Sequence, residues 1–190
     1  MIGKLVVISG PSGAGKTSVC RALKQLPGVE FSVSATTRAP RSGEQPGVDY
    51  HFLARDEFER RAQQGDFLEW ASYNGNFYGT PRWPMDEAIR AGRTFLLEIE
   101  VAGTRQLREK RVPGIYLFIA PPSTEELKNR LVRRGTNTQQ DIESRVRIAR
   151  EEIEAAKQIV AGRPLYDHTI ANIDLEQTIA RVASLIGVAR

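Results

Sequence analysis

The sequence predicts an α/β protein in which helices pack against a central parallel sheet. Two observations support this fold class: short apolar runs recur along the chain, and helical segments lie between most of them. A chain of 190 residues, of which 41% are hydrophobic and 26% charged, is long enough for one such core with insertions. It is too short for two large domains.

The predicted core elements alternate in chain order. The first strand covers residues 5–8, and its nearly continuous apolar character indicates a central position in the sheet. A helix follows at 17–26 and ends before Pro27 and Gly28. The remaining core elements are strands at 31–34, 94–99, 115–119 and 169–171, and helices at 123–133, 141–160 and, after the capping residue Asp174, at 175–186.

Residues between about 35 and 80 have a different composition. Arg, Gly, Pro, Tyr and Asn are frequent there, and the pattern indicates one short helix at 56–64. Short strands are predicted at 50–53, 67–70 and 76–78, which would form a small separate sheet. An insertion at this point of the core is a natural place for a lobe that grips a substrate.

The segment that follows the first strand is a complete phosphate-binding loop. Residues 10–17 read Gly-Pro-Ser-Gly-Ala-Gly-Lys-Thr, which matches G-x-x-x-x-G-K-[ST]. The glycines let backbone N–H groups surround a polyphosphate, and the start of the next helix adds its positive dipole end. Lys16 would reach the β- and γ-phosphates, and the hydroxyl of Thr17 would bind Mg²⁺. The loop predicts a nucleoside triphosphate substrate and a three-layer core of the P-loop NTPase type.

Charge and composition exclude several other classes. The net charge of +4 equals the excess of seven basic over three acidic residues within 126–150, a segment without aromatic residues. This pattern favours a clamp for a compact polyanion over a nucleic-acid surface. No apolar run approaches the roughly 18 residues that span a bilayer. The single cysteine, Cys20, forms no internal disulfide, so we expect a cytoplasmic protein without membrane or nucleic-acid partners.

A second anion site is predicted directly after the strand at 31–34. Arg38 and Arg41 lie three residues apart with Pro40 between them, and two guanidinium forks can converge on one phosphate group. The hydroxyl groups of Tyr50, Tyr78 and Thr80 would add donors to the same anion. Taken singly, the two arginines would be ordinary loop charges.

Glu69 is a carboxylate within an otherwise apolar and aromatic run, residues 67–70. Guanine offers its N1–H and N2 amine as paired donors, and one carboxylate can accept both. Adenine lacks both donors. Glu69 is therefore predicted to favour guanine, with the Ser34 hydroxyl meeting O6, although a lone glutamate on a strand face often has no such function.

Seven segments together resemble the successive motifs of guanylate kinase in order and spacing: residues 10–17, 34–44, 47–52, 67–70, 77–81, 97–100 and 127–136. The resemblance covers essentially the whole chain. It implies a core at 1–33, 85–125 and 161–190, a GMP-binding lobe at 34–84, and a lid with flanking helices at 126–160. It also implies reversible phosphoryl transfer from ATP to GMP, and to dGMP, by a monomer or homodimer.

The resemblance implies specific roles for individual residues. The expected ATP-binding residues are Gly10, Pro11, Ser12, Gly13, Ala14, Gly15, Lys16, Thr17, Ser18, Arg130 and Asn172. The expected GMP-binding residues are Ser34, Arg38, Arg41, Tyr50, Glu69, Tyr78, Gly79, Thr80, Glu98 and Glu100. Lys16, Arg38, Arg134 and Arg145 are the expected catalytic residues. Mg²⁺ is expected on Thr17 and, through water, on either Glu98 or Glu100.

Three positions depart from the family pattern. Glu100 stands where the family often has Asp, Ala102 where a Gln is common, and Ile173 where an Asp usually follows Asn172. Two other functions stay open at this point. One is a related domain that binds phosphorylated peptides without catalysis, and the other is a P-loop kinase for a phosphorylated sugar or another nucleotide.

Overall fold

The structure is a computed structural model that describes residues 3–133 and 138–188. Its strands are β1 (Lys4–Ser9), β2 (Val29–Phe31), β3 (Ala35–Thr36), β4 (His51–Phe52), β5 (Phe67–Tyr73), β6 (Asn76–Pro81), β7 (Thr94–Glu98), β8 (Ile115–Ala120), β9 (Ile159–Val160), β10 (Arg163–Pro164) and β11 (His168–Ala171). Its helices are α1 (Lys16–Leu23), α2 (Arg55–Gln63), α3 (Arg82–Arg90), α4 (Val101–Glu109), α5 (Thr124–Arg133), α6 (Gln139–Ala155) and α7 (Leu175–Leu185).

The core is a five-stranded parallel sheet in the order β11-β8-β1-β7-β2. β1 is central because both of its faces are apolar. Leu5 and Val7 pack on one face with residues of α3 and α4, whereas Val6 and Ile8 pack on the other with residues of α1 and α7. Helices thus cover both faces of the sheet, which confirms the predicted α/β fold class.

A second sheet has four strands in the order β4-β3-β6-β5. β3 pairs with β4 in parallel, while the β3–β6 and β5–β6 pairs are antiparallel. Phe58 of α2 is fully buried against this sheet and stacks on Phe67 at a centroid distance of 4.3 Å. The sheet lies within the predicted lobe, although the boundaries of lobe and lid stay predictions.

Helices α5 and α6 pack against each other through a small apolar cluster, to which Leu127, Leu131, Ile142 and Ala149 contribute. A reciprocal capping box between Thr138 and Asp141 begins α6. Within the described ranges, no helix has both the length and the apolar character needed to cross a membrane.

Several element bounds differ from the sequence-based expectation. β2 ends at Phe31, and after the Ser32 backbone donates to Leu96 O the chain leaves the core sheet, so the predicted strand at 31–34 is wrong. Helix α6 ends at Ala155 rather than 160, because residues 159–160 form a hairpin with β10. Helices α3 and α4 were not predicted. The predicted cap at Asp174 is confirmed by its bond to the Gln177 backbone N–H, 2.8 Å.

Candidate active site

Three adjoining cavities, together called the cleft, lie at the carboxyl ends of the parallel strands. They are an outer cavity of about 510 Å³, a central cavity of about 790 Å³ and a lobe cavity of about 380 Å³. The outer and central cavities share Gly13, Gly15 and Ser18, and the central and lobe cavities share Ser34, Tyr73, Ile99 and Glu100. The end of a parallel sheet is where ligands bind in open α/β folds.

The predicted site residues divide among these cavities. The outer cavity is lined by Gly13, Gly15, Ser18, Arg130 and Asn172. The central cavity is lined by Gly10, Pro11, Ser12, Gly13, Gly15, Lys16, Thr17, Ser18, Ser34, Tyr50, Glu98, Glu100 and Arg145. The lobe cavity is lined by Ser34, Glu69, Tyr78, Gly79 and Glu100. Ala14, Arg38, Arg41 and Thr80 lie outside these three linings, and Arg134 lies outside the described residues.

The loop between β1 and α1 has the backbone conformation that its glycines permit. Gly10, Gly13 and Gly15 have φ angles of 143°, 93° and 96°. Such conformations are strained for residues with a Cβ atom. A Cβ on Gly13 would also lie 2.7 Å from a methyl carbon of Leu127. The glycines are therefore needed both for the turn and for the close approach of α5.

The ammonium group of Lys16 projects into the central cavity. Its Nζ donates to the carbonyl oxygens of Gly10 and, at 3.1 Å, of Pro11. Burial lowers the pKa of Lys16, and the nearby carboxylates of Glu98, Glu152 and Glu100 oppose this shift. A polyphosphate in the cavity would offer oxygens to the same ammonium.

The side chains of Thr17 and Glu98 form a hydrogen bond in the lining of the central cavity. The hydroxyl of Thr17 donates to Glu98 Oε1 at 2.9 Å, because Thr17 lies in the first turn of α1 while Glu98 ends β7, the strand beside β1. A hydroxyl and a carboxylate are oxygen ligands of the kind Mg²⁺ accepts together with substrate phosphates. Glu100 lies farther along, at the start of α4, and lines both the central and the lobe cavity. Within the described ranges, no group of three or more His, Cys, Asp or Glu residues forms a protein-only metal cage.

Two arginines from the helices beyond β8 lie near the phosphate loop, one bonded to the loop itself and one to Asn172. Arg145 of α6 donates to the Ser12 hydroxyl at 3.2 Å. Arg130 of α5 forms an ion pair with Glu126 at 3.0 Å and donates to the carbonyl oxygen of Asn172 at 2.9 Å. The predicted lid arginines that the structure describes are therefore positioned beside the phosphate loop.

The buried side chain of Asn172 is hydrogen-bonded to the backbone of the phosphate loop. Its Nδ2 donates to Ala14 O at 2.7 Å, and its Oδ1 accepts from the Thr178 hydroxyl at 3.0 Å. The side chain is buried, and a Cβ on Gly15 would collide with it. Its contact with adenine stays a prediction. The neighbouring Ile173, which departs from the family pattern, is 77% exposed at the rim of the outer cavity.

Arg38 is held by an ion pair within its own segment. Its Nη2 donates to both carboxylate oxygens of Glu44, at 2.9 and 3.0 Å, and its Nη1 donates to Ala39 O at 2.7 Å. Glu44 also accepts from the backbone N–H of Arg41 at 2.7 Å. The hydrogen bond with Glu44 raises the pKa of Arg38, and the same bond lowers the pKa of Glu44. Glu44 therefore orients the guanidinium, while the Arg41 side chain is exposed.

Three tyrosines surround the junction between the central and lobe cavities. The ring of Tyr78 lies 6.2 Å from that of Tyr50 and 6.4 Å from that of Tyr73, in edge-to-face arrangements. The guanidinium of Arg38 lies 5.5 Å from the centre of the Tyr50 ring. The predicted phosphate ligands Arg38, Tyr50 and Tyr78 therefore come together, as expected.

Glu69 is the half-buried carboxylate of the lobe cavity. The Thr80 hydroxyl donates to Glu69 Oε1 at 2.6 Å, and Thr80 itself is fully buried. Burial raises the pKa of Glu69, and the bond from Thr80 together with the charge of Lys110 opposes the rise. Thr80 thus contacts the predicted base reader, and the direct Thr80–ligand contact stays a prediction.

Sequence reasoning missed four residues of the site: Glu44, Tyr73, Gln106 and Glu152. Glu44 orients Arg38, whereas Tyr73 and Gln106 line the lobe cavity and Glu152 lines the central cavity beside Lys16. Only Glu44 had a local signal, since it lies within the arginine segment. Gln106 and Glu152 belong to helices whose contact with the cleft depends on the tertiary fold.

Comparison with known proteins gives one consistent family. The family profile for guanylate kinase matches residues 2–189. A guanylate kinase of Parasynechococcus marenigrum is 45% identical over 98% of this chain and 100% of its own length. One of Halalkalibacterium halodurans is 44% identical over 97% of this chain and 87% of its own.

Solved structures agree with this result. The crystal structure of a guanylate kinase from Anaplasma phagocytophilum is 33% identical, with a TM-score of 0.70, over 98% of this chain and 85% of its own. A sugar kinase from Janibacter is 17% identical with a TM-score of 0.50, over 98% of this chain and 96% of its own, and shares the fold alone.

Proposed function

This chain belongs to the guanylate kinase family, and we propose that it catalyses ATP + GMP ⇌ ADP + GDP. The observation that carries the proposal is the adjacency of two cavities. The phosphate loop with Lys16 lines the central cavity, and the neighbouring lobe cavity, which shares Ser34 and Glu100 with it, is lined by the half-buried carboxylate of Glu69. Two nucleotides bound in this cleft would meet at their phosphates.

The donor side would bind ATP. The loop backbone and Lys16 would hold the β- and γ-phosphates, while Arg130 and Asn172 would lie beside the adenosine. When bound, Mg²⁺ would supply positive charge that neutralises the charge developing on the phosphate groups. Thr17 and Glu98 would hold it, since their side chains already meet at 2.9 Å. Glu100, which lines both the central and the lobe cavity, would face the GMP acceptor.

The acceptor side would bind GMP. Arg38, Arg41, Tyr50 and Tyr78 would hold its phosphate, and Ser34 and Glu69 would contact guanine. Glu44 would keep the guanidinium fork of Arg38 in one orientation. The bond from the Thr80 hydroxyl would keep the Glu69 carboxylate oriented toward the paired donors of guanine.

The transfer itself would rest on alignment and charge. The nucleophile is an oxygen of the GMP phosphate, which is anionic near neutral pH, so the reaction requires no general base. Lys16, Arg38 and Arg145, with Arg134 from outside the described residues, would stabilise charge on the transferred group. Exclusion of water would prevent hydrolysis of ATP. The reducing cytoplasm is the proposed compartment, and the single buried Cys20 is consistent with it.

One assay tests the proposal. ADP release from ATP is measured with GMP, dGMP, AMP, CMP or UMP as acceptor and Mg²⁺ present. We expect rapid release with GMP and much slower release with AMP and the pyrimidine nucleotides. Equal rates with AMP would overturn the guanine assignment, and absence of acceptor-dependent ADP would favour a binding domain without catalysis.

A further inference from the structure

We propose that Gln106 of α4 and Lys110, the residue that follows the end of α4, form a latch on the outer edge of β5, and that this latch positions Glu69 for reading the acceptor base. Neither residue touches the reacting atoms, so both are positioning residues. The inference rests on the proposed function, since it concerns how the base is distinguished.

The latch holds the outer edge of strand β5. β5 is the outermost strand in the order β4-β3-β6-β5, and an edge strand carries backbone N–H and C=O groups without a strand partner. The side chains of Gln106 and Lys110 take the place of a partner strand. Lys110 Nζ donates to Leu68 O at 2.8 Å, and Gln106 Nε2 donates to Trp70 O at 3.1 Å. The Trp70 N–H returns a longer bond to Gln106 Oε1 at 3.4 Å.

Glu69 lies between these two backbone contacts. Leu68 and Trp70 flank Glu69, so the latch fixes the backbone on both sides of the base reader. The β5–β6 register is also irregular between Phe67 and Glu69. A bulge re-aims side chains and disrupts the regular ladder, so pairing with β6 alone constrains this position less.

Helix α4 provides a fixed support for these two side chains. Val101 and Leu107 of this helix are buried in the core, so α4 is anchored to the parallel sheet. Gly103, Gln106 and Lys110 follow the spacing of one helix face. A Cβ on Gly103 would lie 3.1 Å from Glu69 Oε2, so the helix backbone approaches the carboxylate itself. The charge of Lys110 further favours the ionised form of Glu69, against the effect of burial on its pKa.

The test measures acceptor discrimination in Gln106→Ala and Lys110→Met. For Gln106→Ala we expect the ratio of kcat/KM for GMP to that for AMP to fall about tenfold, since small displacements of a binding group are costly. For Lys110→Met we expect a fall of about threefold, and KM for ATP should change less than about twofold in both. Lys110→Arg retains the donor and should restore the ratio. Arg111→Met removes the same charge from an exposed neighbour and serves as the matched control.

A second readout does not depend on catalysis. Hydrogen exchange of the Trp70 amide should become faster in Gln106→Ala than in Arg111→Met, because its bond to Gln106 is lost. An unchanged discrimination ratio in both variants would overturn the inference, and so would equal losses for ATP and GMP, which indicate general damage. If the wild-type protein does not prefer GMP, the proposed function fails instead, and Trp70 exchange still tests the latch.

Discussion

The donor and acceptor sides of the cleft are built in different ways. The phosphate part of the donor side is one contiguous loop, residues 10–17, whose backbone conformation is fixed by glycines and by the buried side chain of Asn172. The acceptor side uses separate side chains from β5, from β6 and from the segments on either side of β3, and several of these side chains contact each other in pairs. Arg38 is paired with Glu44 and Glu69 with Thr80.

This difference indicates how the two tasks are divided. Backbone N–H groups recognise a phosphate chain but cannot distinguish one nucleoside from another. A half-buried carboxylate can distinguish bases because the wrong base offers it no paired donors. We therefore expect the loop to serve phosphate transfer and the second sheet to select the acceptor nucleotide.

The largest expected effect comes from breaking the donor side at Lys16. Lys16→Met removes the ammonium that projects into the central cavity, and we expect kcat to fall by about 10³-fold or more because a fixed positive charge is lost from the transfer site. Steady-state ADP release checks this. Lys24→Met, at the other end of α1, is the control and should retain turnover. Near-normal turnover of Lys16→Met would remove Lys16 from the reaction.

The next effect separates the acceptor side from the donor side. Glu69→Gln replaces one acceptor oxygen by a donor amide, so we expect the preference for GMP over AMP to fall by about 100-fold. KM for ATP should stay near its wild-type value. Competition between GMP and AMP in one reaction measures the preference directly, and an unchanged preference would exclude Glu69 as the base reader.

A smaller effect distinguishes Glu98 from Glu100. Glu98→Gln weakens the partner of Thr17, and we expect the Mg²⁺ concentration for half-maximal rate to rise by about tenfold. Glu100→Gln should instead raise KM for GMP, because Glu100 also lines the lobe cavity. Titration of Mg²⁺ at saturating substrates tests Glu98→Gln, titration of GMP at saturating ATP and Mg²⁺ tests Glu100→Gln, and the reverse result would exchange the two roles.

The smallest expected effect is on stability. Burial raises the pKa of Glu69 above its usual 4.5, so the folded protein binds this proton more readily than the unfolded chain. The ionised carboxylate therefore destabilises the fold above the raised pKa, and this cost disappears below the unfolded value. We expect Glu69→Gln to raise Tm by roughly 2 °C at pH 8 and to lose this advantage near pH 4.

Thermal unfolding at the two pH values measures this effect. Glu109→Gln, an exposed carboxylate on α4, is the control. A lower Tm for Glu69→Gln at pH 8 would show that the bond from Thr80 outweighs the cost of burial.

Much of the fold and the donor site could be predicted because their signals are local. The apolar runs of β1, β7 and β8 and the glycine pattern of residues 10–17 are contiguous in sequence. The strand predicted at 31–34 was wrong because apolar character there did not reveal where the chain leaves the core sheet. The chain leaves the core sheet after the hydrogen bond from the Ser32 backbone N–H to Leu96 O, and the apolar pattern of the sequence does not indicate this point.

The supporting contacts of the site could not be predicted from the sequence. Gln106 and Lys110 reach β5 over about 40 positions of chain, and Glu152 approaches Lys16 from α6. Each is a polar residue on a helix, which is the usual composition of a solvent-facing surface. Their roles follow from how helices pack on the sheet, so they become visible only in the structure.

The central claim is that donor and acceptor are held by separate parts of the cleft and interact only during transfer. Calorimetric titration of GMP into Lys16→Met tests it most directly. If the two sides are separate in binding, Kd for GMP will lie within about twofold of the wild-type value while turnover is lost. A Kd for GMP weakened by about tenfold or more would contradict the claim.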